Sequence, residues 1–139
     1  MPIMGTGFEL LVVRFRTDTR ASDGKKRVVG RYRVYHDGAE QTGFGGMMCE
    51  TRGPGDNSEE DNNRCIEVGR YPLWTQAGAK FVTIGYKVTS SPSILPKPGI
   101  LVGDTDQRTG ILVHPGFNFL SSVGCLNPTQ ALAKQIPLT

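Results

Sequence analysis

The sequence predicts a mostly β protein: a single compact β-sandwich or barrel-like domain with at most one or two short helices. Three observations support this fold class. The 139 residues suffice for one domain and are too few for two. The 18 Gly and 9 Pro show no collagen repeat, which indicates many turns and short elements. Segments that alternate apolar and polar residues recur between turn signals, as is typical of half-buried strands.

The N-terminal part of the chain predicts a β-hairpin. The stretch 8–16 (FELLVVRFR) is rich in β-forming residues, and 28–35 (VVGRYRVY) alternates apolar and polar residues. The polar segment 17–27 joins them and contains Asp23-Gly24, a hairpin turn signal. A second such signal, Asp37-Gly38, ends the second strand and predicts a further reversal of the chain.

The remainder of the chain predicts shorter elements. A strand at 45–51 precedes a long acidic loop at 52–64 (RGPGDNSEEDNNR), which is too polar for a core and which we interpret as a mobile insertion or a lid. No linker divides the chain, so residues 1–139 are predicted to form one domain that ends in the short tail 127–139. Further strands are predicted at 65–74, 80–89, 99–102 and 110–114.

Three local predictions complete the fold. The tail predicts a short helix over 130–136, with Asn127 or Thr129 as its cap. His36 lies at a turn and is expected to be exposed. Trp74 is expected to lie in the core, because a small domain needs the large apolar area of an aromatic side chain.

Charge is distributed unevenly, although the net charge is only +3. Residues 1–36 carry eight Lys/Arg and three Asp/Glu, whereas 37–70 carry three and eight. Such a basic segment can attract a polyanion. Its arginines alternate with apolar residues, which favours the solvated face of strands, and no nucleic-acid motif accompanies them. These arginines are Arg14, Arg16, Arg31 and Arg33. We therefore expect no nucleic-acid partner.

The sequence also predicts where the protein acts and what it lacks. No apolar stretch is long enough to span a membrane, and no signal peptide is visible. We expect synthesis in the cytoplasm and action in the periplasm or cell envelope after delivery by another system. Cys49, Cys65 and Cys125 include no C-x-x-C pair, and two His are too few for most zinc sites, so neither metal nor cofactor is predicted. Cys49 and Cys65 either pair when oxidised or, as we favour, are buried thiols.

A candidate catalytic group surrounds Cys125. His114 ends a predicted strand eleven positions before Cys125, and a strand–loop–strand return over that distance brings both side chains to one rim. An imidazole can accept the thiol proton and so produce the nucleophilic thiolate. Gly124 permits a tight turn, its N–H and that of Cys125 can stabilise an oxyanion, and Ser122 can orient the loop. The alternative is an inert, buried cysteine.

Two runs contain these residues: His114-Pro115-Gly116 and, after a loop, Ser122-Val123-Gly124-Cys125-Leu126-Asn127. They resemble the signature of the L,D-transpeptidase (YkuD-type) superfamily, a His-Gly-type motif followed by Ser/Thr-x-Gly-Cys. Upstream, Cys49-Glu50-Thr51 and Gly69-Arg70-Tyr71-Pro72 are similar in order to a small branch found in phages, prophages and secretion clusters. The loose resemblance covers 10–127, and its specific part is the His…Ser-x-Gly-Cys motif.

The resemblance implies a mostly β fold with Cys125 as nucleophile, His114 as base, and Ser122 and Gly124 as supporting residues. It implies a peptidoglycan stem peptide as substrate and transpeptidase, carboxypeptidase or endopeptidase action, in some relatives as an antibacterial effector. Such an effector would have an immunity protein, or a secretion or phage component, as partner. No arginine follows Cys125 within the motif, where the family has one that contacts a substrate carboxylate.

Three further residues complete the predicted site: Phe117, Asn118 and Asn127 are the candidate substrate contacts. The short loop predicts that His114 and Cys125 lie within reach of a hydrogen bond or of one bridging water. It also predicts that Phe117 or Phe119 packs beneath the pair. The alternative function is a non-catalytic structural or binding module of a phage or secretion particle that retains this fold.

Overall fold

The computed structural model describes residues 3–60, 62–86, 94–114 and 124–129. Over these residues the protein is built from strands and contains no helix, which confirms the predicted mostly β class. The strands are β1 (Phe8–Thr19), β2 (Lys26–His36), β3 (Ala39–Thr51), β4 (Leu73–Thr75), β5 (Phe81–Val82), β6 (Lys97–Pro98), β7 (Ile100–Val102), β8 (Leu112–Val113) and β9 (Asn127–Thr129).

The first three strands form a long antiparallel meander, to which β9 is added in the order β1-β2-β3-β9. Both predicted turn signals are confirmed. Asp37 and Gly38 have φ values of 49° and 82°, and two successive positive values are what a two-residue type I′ turn requires. Gly24, in the connection between β1 and β2, has a φ of 73°. These turns let all three strands extend beyond their predicted bounds.

The remaining strands form two small sheets. One is antiparallel with the order β4-β7-β8, and the other is the parallel pair β5-β6. Val113 in β8 forms a parallel bridge with Leu126, the residue before β9. Because β9 pairs with residues 47–49 of β3, the segment 126–129 joins the large sheet to the small one.

The core lies between these sheets. Its buried cluster contains Met48 of the large sheet, Val102 and Val113 of the sheet β4-β7-β8, and Leu126 of the segment between these sheets. The remaining buried members are Ile66 and Ile111, and Leu10, Val12, Tyr32, Tyr71 and Ile100 pack against the cluster. Burial of such apolar area is the main favourable term in folding, so this cluster holds the two layers together.

Two buried carboxylates are bound by arginines of the meander. Asp18 Oδ2 accepts hydrogen bonds from Arg27 Nε at 3.0 Å and Nη2 at 2.9 Å, and its Oδ1 accepts one from Arg16 Nε at 2.9 Å. Glu50 accepts a bidentate pair from Arg14 at 2.8 and 2.7 Å, which raises the pKa of that guanidinium. Several of the N-terminal basic residues therefore bind carboxylates of this chain.

The acidic loop 52–64 is bonded to the body of the domain. Cys65 N–H donates to Arg52 O at 2.9 Å, and Asp56 N–H donates to Cys65 O at 3.0 Å. Glu60 Oε2 accepts bonds from the N–H and the hydroxyl of Thr109 at 2.9 and 2.8 Å. These bonds fix the loop beside the turn that precedes β8.

Two predicted strands are much shorter than expected. The strand predicted over 65–74 begins only at Leu73 and runs to Thr75, and before it the Tyr71 hydroxyl donates to Glu67 O at 2.6 Å within a local loop. Among the described residues 80–86, Phe81–Val82 form a strand, and the chain turns at Gly85, whose φ is 87°. Residues 87–93 lie outside the described part of the chain.

Two side-chain predictions have opposite outcomes. Trp74 was expected in the core but is 59% exposed, because β4 presents its indole over Gly103, where an added Cβ would lie 2.6 Å from Nε1. His36 is exposed as predicted and stacks on Phe8 at 4.3 Å between ring centroids.

The predicted helix cap is also wrong. Asn127 and Thr129 lie in β9 and pair with β3, because strand pairing satisfies the backbone groups of both segments. The helix predicted over 130–136 lies outside the described residues. A search of the described residues finds no helix that is long and apolar enough to cross a membrane.

Candidate active site around Cys125

The two halves of the sequence motif meet at β8. Leu126 N–H donates to Leu112 O at 2.9 Å, and His114 N–H donates to Leu126 O at 3.0 Å. These bonds form the parallel bridge between Val113 and Leu126, both of which belong to the core cluster. His114 thus follows one bridge residue and Cys125 precedes the other, on adjacent segments.

His114 is buried and its position is fixed from two directions. Its ring lies against Phe81 of β5, with 4.2 Å between centroids and an interplanar angle of 36°. Its backbone carbonyl accepts a bond from Asn127 Nδ2 at 3.0 Å. An aromatic side chain therefore packs on the predicted base, and it comes from β5. Phe117 and Phe119, which were predicted in this role, lie outside the described residues.

Cys125 is half-buried, and its sulfur is engaged by backbone groups of the neighbouring segment. Leu112 N–H donates to Sγ at 3.3 Å, and the thiol donates to Gly110 O at 3.5 Å. Burial raises the pKa of the Cys125 thiol, although the Leu112 N–H and the positive charge of Arg108 act in the opposite direction. The thiol is therefore protonated near neutral pH in this arrangement.

The described contacts place the sulfur beside residues 110 and 112, and the imidazole on β5. The predicted hydrogen bond or single-water bridge between His114 and Cys125 stays a prediction. An open depression of about 610 Å³ lies over the chain from Leu101 to Gly110. Its lining includes Gly110, whose carbonyl accepts the thiol bond.

The other predicted site residues are placed as follows. Gly124 is buried against Arg108 and Ile111, and an added Cβ would overlap Arg108 Nη2. Lack of space for a side chain thus explains a glycine here. Asn127 is 5% exposed and its side chain donates to the His114 carbonyl, and its role as a substrate contact stays a prediction. Ser122, Phe117 and Asn118 lie outside the described residues.

Sequence reasoning missed two residues of this region, Phe81 and Arg108. Phe81 lies in a different sheet and nothing local in the sequence connects it with His114. Arg108 resembles an exposed turn residue in the sequence but is 3% exposed in the structure. The described residues include no group of three or more His, Cys, Asp or Glu that could hold a metal ion.

The structure supports the interpretation of Cys49 and Cys65 as buried thiols, since both are buried and free. Burial raises the pKa of each, as it does for Cys125. Native thiols therefore keep protons that the unfolded chain loses above about pH 8.5. Because the folded state then binds more protons, the free energy of unfolding must fall as pH rises through this range.

We expect urea denaturation under reducing conditions to give a lower free energy of unfolding at pH 9.5 than at pH 7.5. A variant with Cys49→Ala and Cys65→Ala should lose less stability over the same interval, because two of the three thiols are gone. An equal loss in both proteins would assign the alkaline effect to other groups.

Comparisons of the chain with protein-family models, with curated proteins and with solved structures find no match.

Proposed function

We propose that this protein is a cysteine-nucleophile acyl-transfer enzyme that acts on peptidoglycan stem peptides, as an L,D-transpeptidase or as a related carboxypeptidase or endopeptidase. The parallel bridge between Val113 and Leu126 carries the proposal, because it sets His114 and Cys125 on adjacent segments. The resemblance of the His…Ser-x-Gly-Cys motif supplies the substrate class. Cys125 is also the one of the three cysteine residues that is only half-buried.

The reaction begins with attack of Cys125 Sγ on the carbonyl carbon of a stem-peptide bond. The thiol proton passes to His114, and the tetrahedral oxyanion accepts hydrogen bonds from the backbone N–H groups of Gly124 and Cys125. Collapse of this intermediate breaks the peptide bond, and His114 returns the proton to the leaving amine. An acceptor amine or water then releases the acyl group from the thioester and regenerates the thiol.

The resting arrangement sets a condition on this mechanism. The thiol donates to Gly110 O and burial raises its pKa, so the described contacts favour the protonated thiol before substrate binds. Substrate must displace the sulfur from that carbonyl, and His114 must accept the proton during attack. The bond from Asn127 fixes the His114 backbone and Phe81 packs on its ring, so we expect the sulfur to make the larger adjustment.

The backbone bonds of the thiol favour a second function. A protonated, half-buried cysteine that is tied to Gly110 and Leu112 resembles a structural residue. In this alternative the chain is a non-catalytic structural or binding module of a phage or secretion particle.

The test is incubation of the protein with purified tetrapeptide and pentapeptide muropeptides, followed by mass spectrometry of both products and protein. We expect loss of a terminal residue, a cut stem or a cross-linked dimer, together with an acyl adduct on Cys125. Cys125→Ala should form neither, whereas Cys49→Ala, a matched control at a buried thiol, should form both. Unchanged muropeptides with folded wild-type protein would contradict the enzyme and favour the module.

A further inference from the structure

Arg108 is a buried arginine in the turn between β7 and β8. Its backbone is fixed within the turn, since Arg108 N–H donates to Thr105 O at 3.0 Å and the Thr105 hydroxyl donates to Arg108 O at 2.6 Å. Its Nη1 donates to the carbonyls of Asp56 at 3.1 Å and Arg64 at 2.7 Å. A cation this deeply buried requires such partners, and both belong to the acidic loop.

The same guanidinium lies against the residue that precedes the thiol. A Cβ added at Gly124 would overlap Arg108 Nη2 and lie 3.1 Å from its Cζ, so the backbone at 124 lies against the guanidinium. The positive charge is close enough to oppose the effect of burial on the Cys125 pKa. Arg108 therefore contacts the acidic loop on one side and the Cys125 segment on the other.

We propose that Arg108 is a positioning residue of the active site, which holds the Gly124–Cys125 backbone in place and couples the acidic loop 52–64 to the thiol. The assignment rests on the proposed function. Arg108 is 3% exposed and its side chain contacts the acidic loop and the residue before Cys125, so we assign it an effect that acts through Cys125. Arginine suits this place because one Nη group of its guanidinium can bind two carbonyls while the other lies against Gly124.

The test measures the alkylation of Cys125 by iodoacetamide as a function of pH, with peptide mass spectrometry to separate the three cysteines. Arg108→Met keeps an unbranched apolar stem and removes the guanidinium with its charge, so we expect the Cys125 profile to move upward by about one pH unit. Arg108→Lys keeps the charge, and we expect it to restore much of the shift. Arg52→Met, at an exposed arginine of the same loop, should leave the profile unchanged.

Cys49 reports on the integrity of the fold in the same experiment, because it is buried and Arg108 has no part in its pKa shift. A rise in Cys49 labelling would reveal that Arg108→Met opens the protein. In that case Gly124→Ala tests the role of Arg108 instead, since its added methyl group displaces the guanidinium and keeps every charge. It should shift the profile in the same direction.

The two proposals fail separately. An unchanged Cys125 profile in both Arg108→Met and Gly124→Ala would overturn the role of Arg108, whatever the muropeptide result. Absence of muropeptide turnover in the wild type would overturn the enzymatic function, while the alkylation profile would still report whether Arg108 controls the thiol.

Discussion

Replacing His114 with glutamine is expected to slow muropeptide turnover by about 10²- to 10⁴-fold, the usual contribution of a general acid–base residue. Glutamine cannot accept the thiol proton at neutral pH, whereas the backbone bonds of residue 114 to Leu126 and Asn127 do not depend on its side chain. Initial rates from mass spectrometry of the products, at substrate concentrations above and below KM, would measure the loss. A decrease in kcat would be expected to dominate, because the imidazole acts during the chemical step.

His36→Gln is the matched control, because His36 is the other histidine of the chain and lies at an exposed turn. It should retain the wild-type rate. Circular dichroism of both variants would establish that the strands are intact. Wild-type turnover by a folded His114→Gln protein would remove His114 from the mechanism even if Cys125→Ala is inactive.

Replacing Asp18 with asparagine is expected to lower the free energy of unfolding by about 3 to 5 kcal/mol, the range for loss of one partner of a buried ion pair. Asp18 is fully buried, and it is the carboxylate that Arg16 and Arg27 share. Asparagine has the same shape but no charge, and its amide group would turn a donor toward one of two guanidinium donors. Urea denaturation monitored by circular dichroism would measure the change.

Asp23→Asn provides the comparison, because Asp23 forms an exposed pair with Arg20. Exposed pairs contribute little to stability, and asparagine keeps an oxygen that can accept the bond from Lys25 N–H. This variant should unfold at nearly the wild-type urea concentration. Similar denaturation curves for the Asp18 and Asp23 variants would show that the buried network is not a major source of stability.

The large sheet was predictable because its signals are local. Asp37-Gly38 sets two positive φ values in succession, and alternation in 28–35 places one face of β2 on the core. The short strands were less predictable, since their lengths depend on distant partners. The Tyr71 hydroxyl and Gly85 end two apolar segments that, judged alone, are good strands. Trp74 was misplaced because aromatic content predicts burial only on average.

The candidate site was predictable only in its motif residues. His114 at a strand end and the proximity of its segment to Cys125 follow from a strand–loop–strand return. The contact of His114 with Phe81 depends on how separate sheets pack, and so does that of Arg108 with Gly124. The bond of the thiol to Gly110 O and its burial, both of which favour the protonated form, likewise depend on a neighbouring segment.

The position of segment 126–129 between the two sheets also affects how readily the Cys125 thiol reacts while the chain is being synthesised. The meander β1–β3 uses contacts between neighbouring strands and can form early, whereas Asn127 pairs with Cys49 only after a long intervening stretch has been made. Such distant pairings close late. Until then the Cys125 thiol is surrounded by water and ionises at its ordinary pKa, so we expect oxidants and electrophiles to modify the nascent chain more readily than the finished protein.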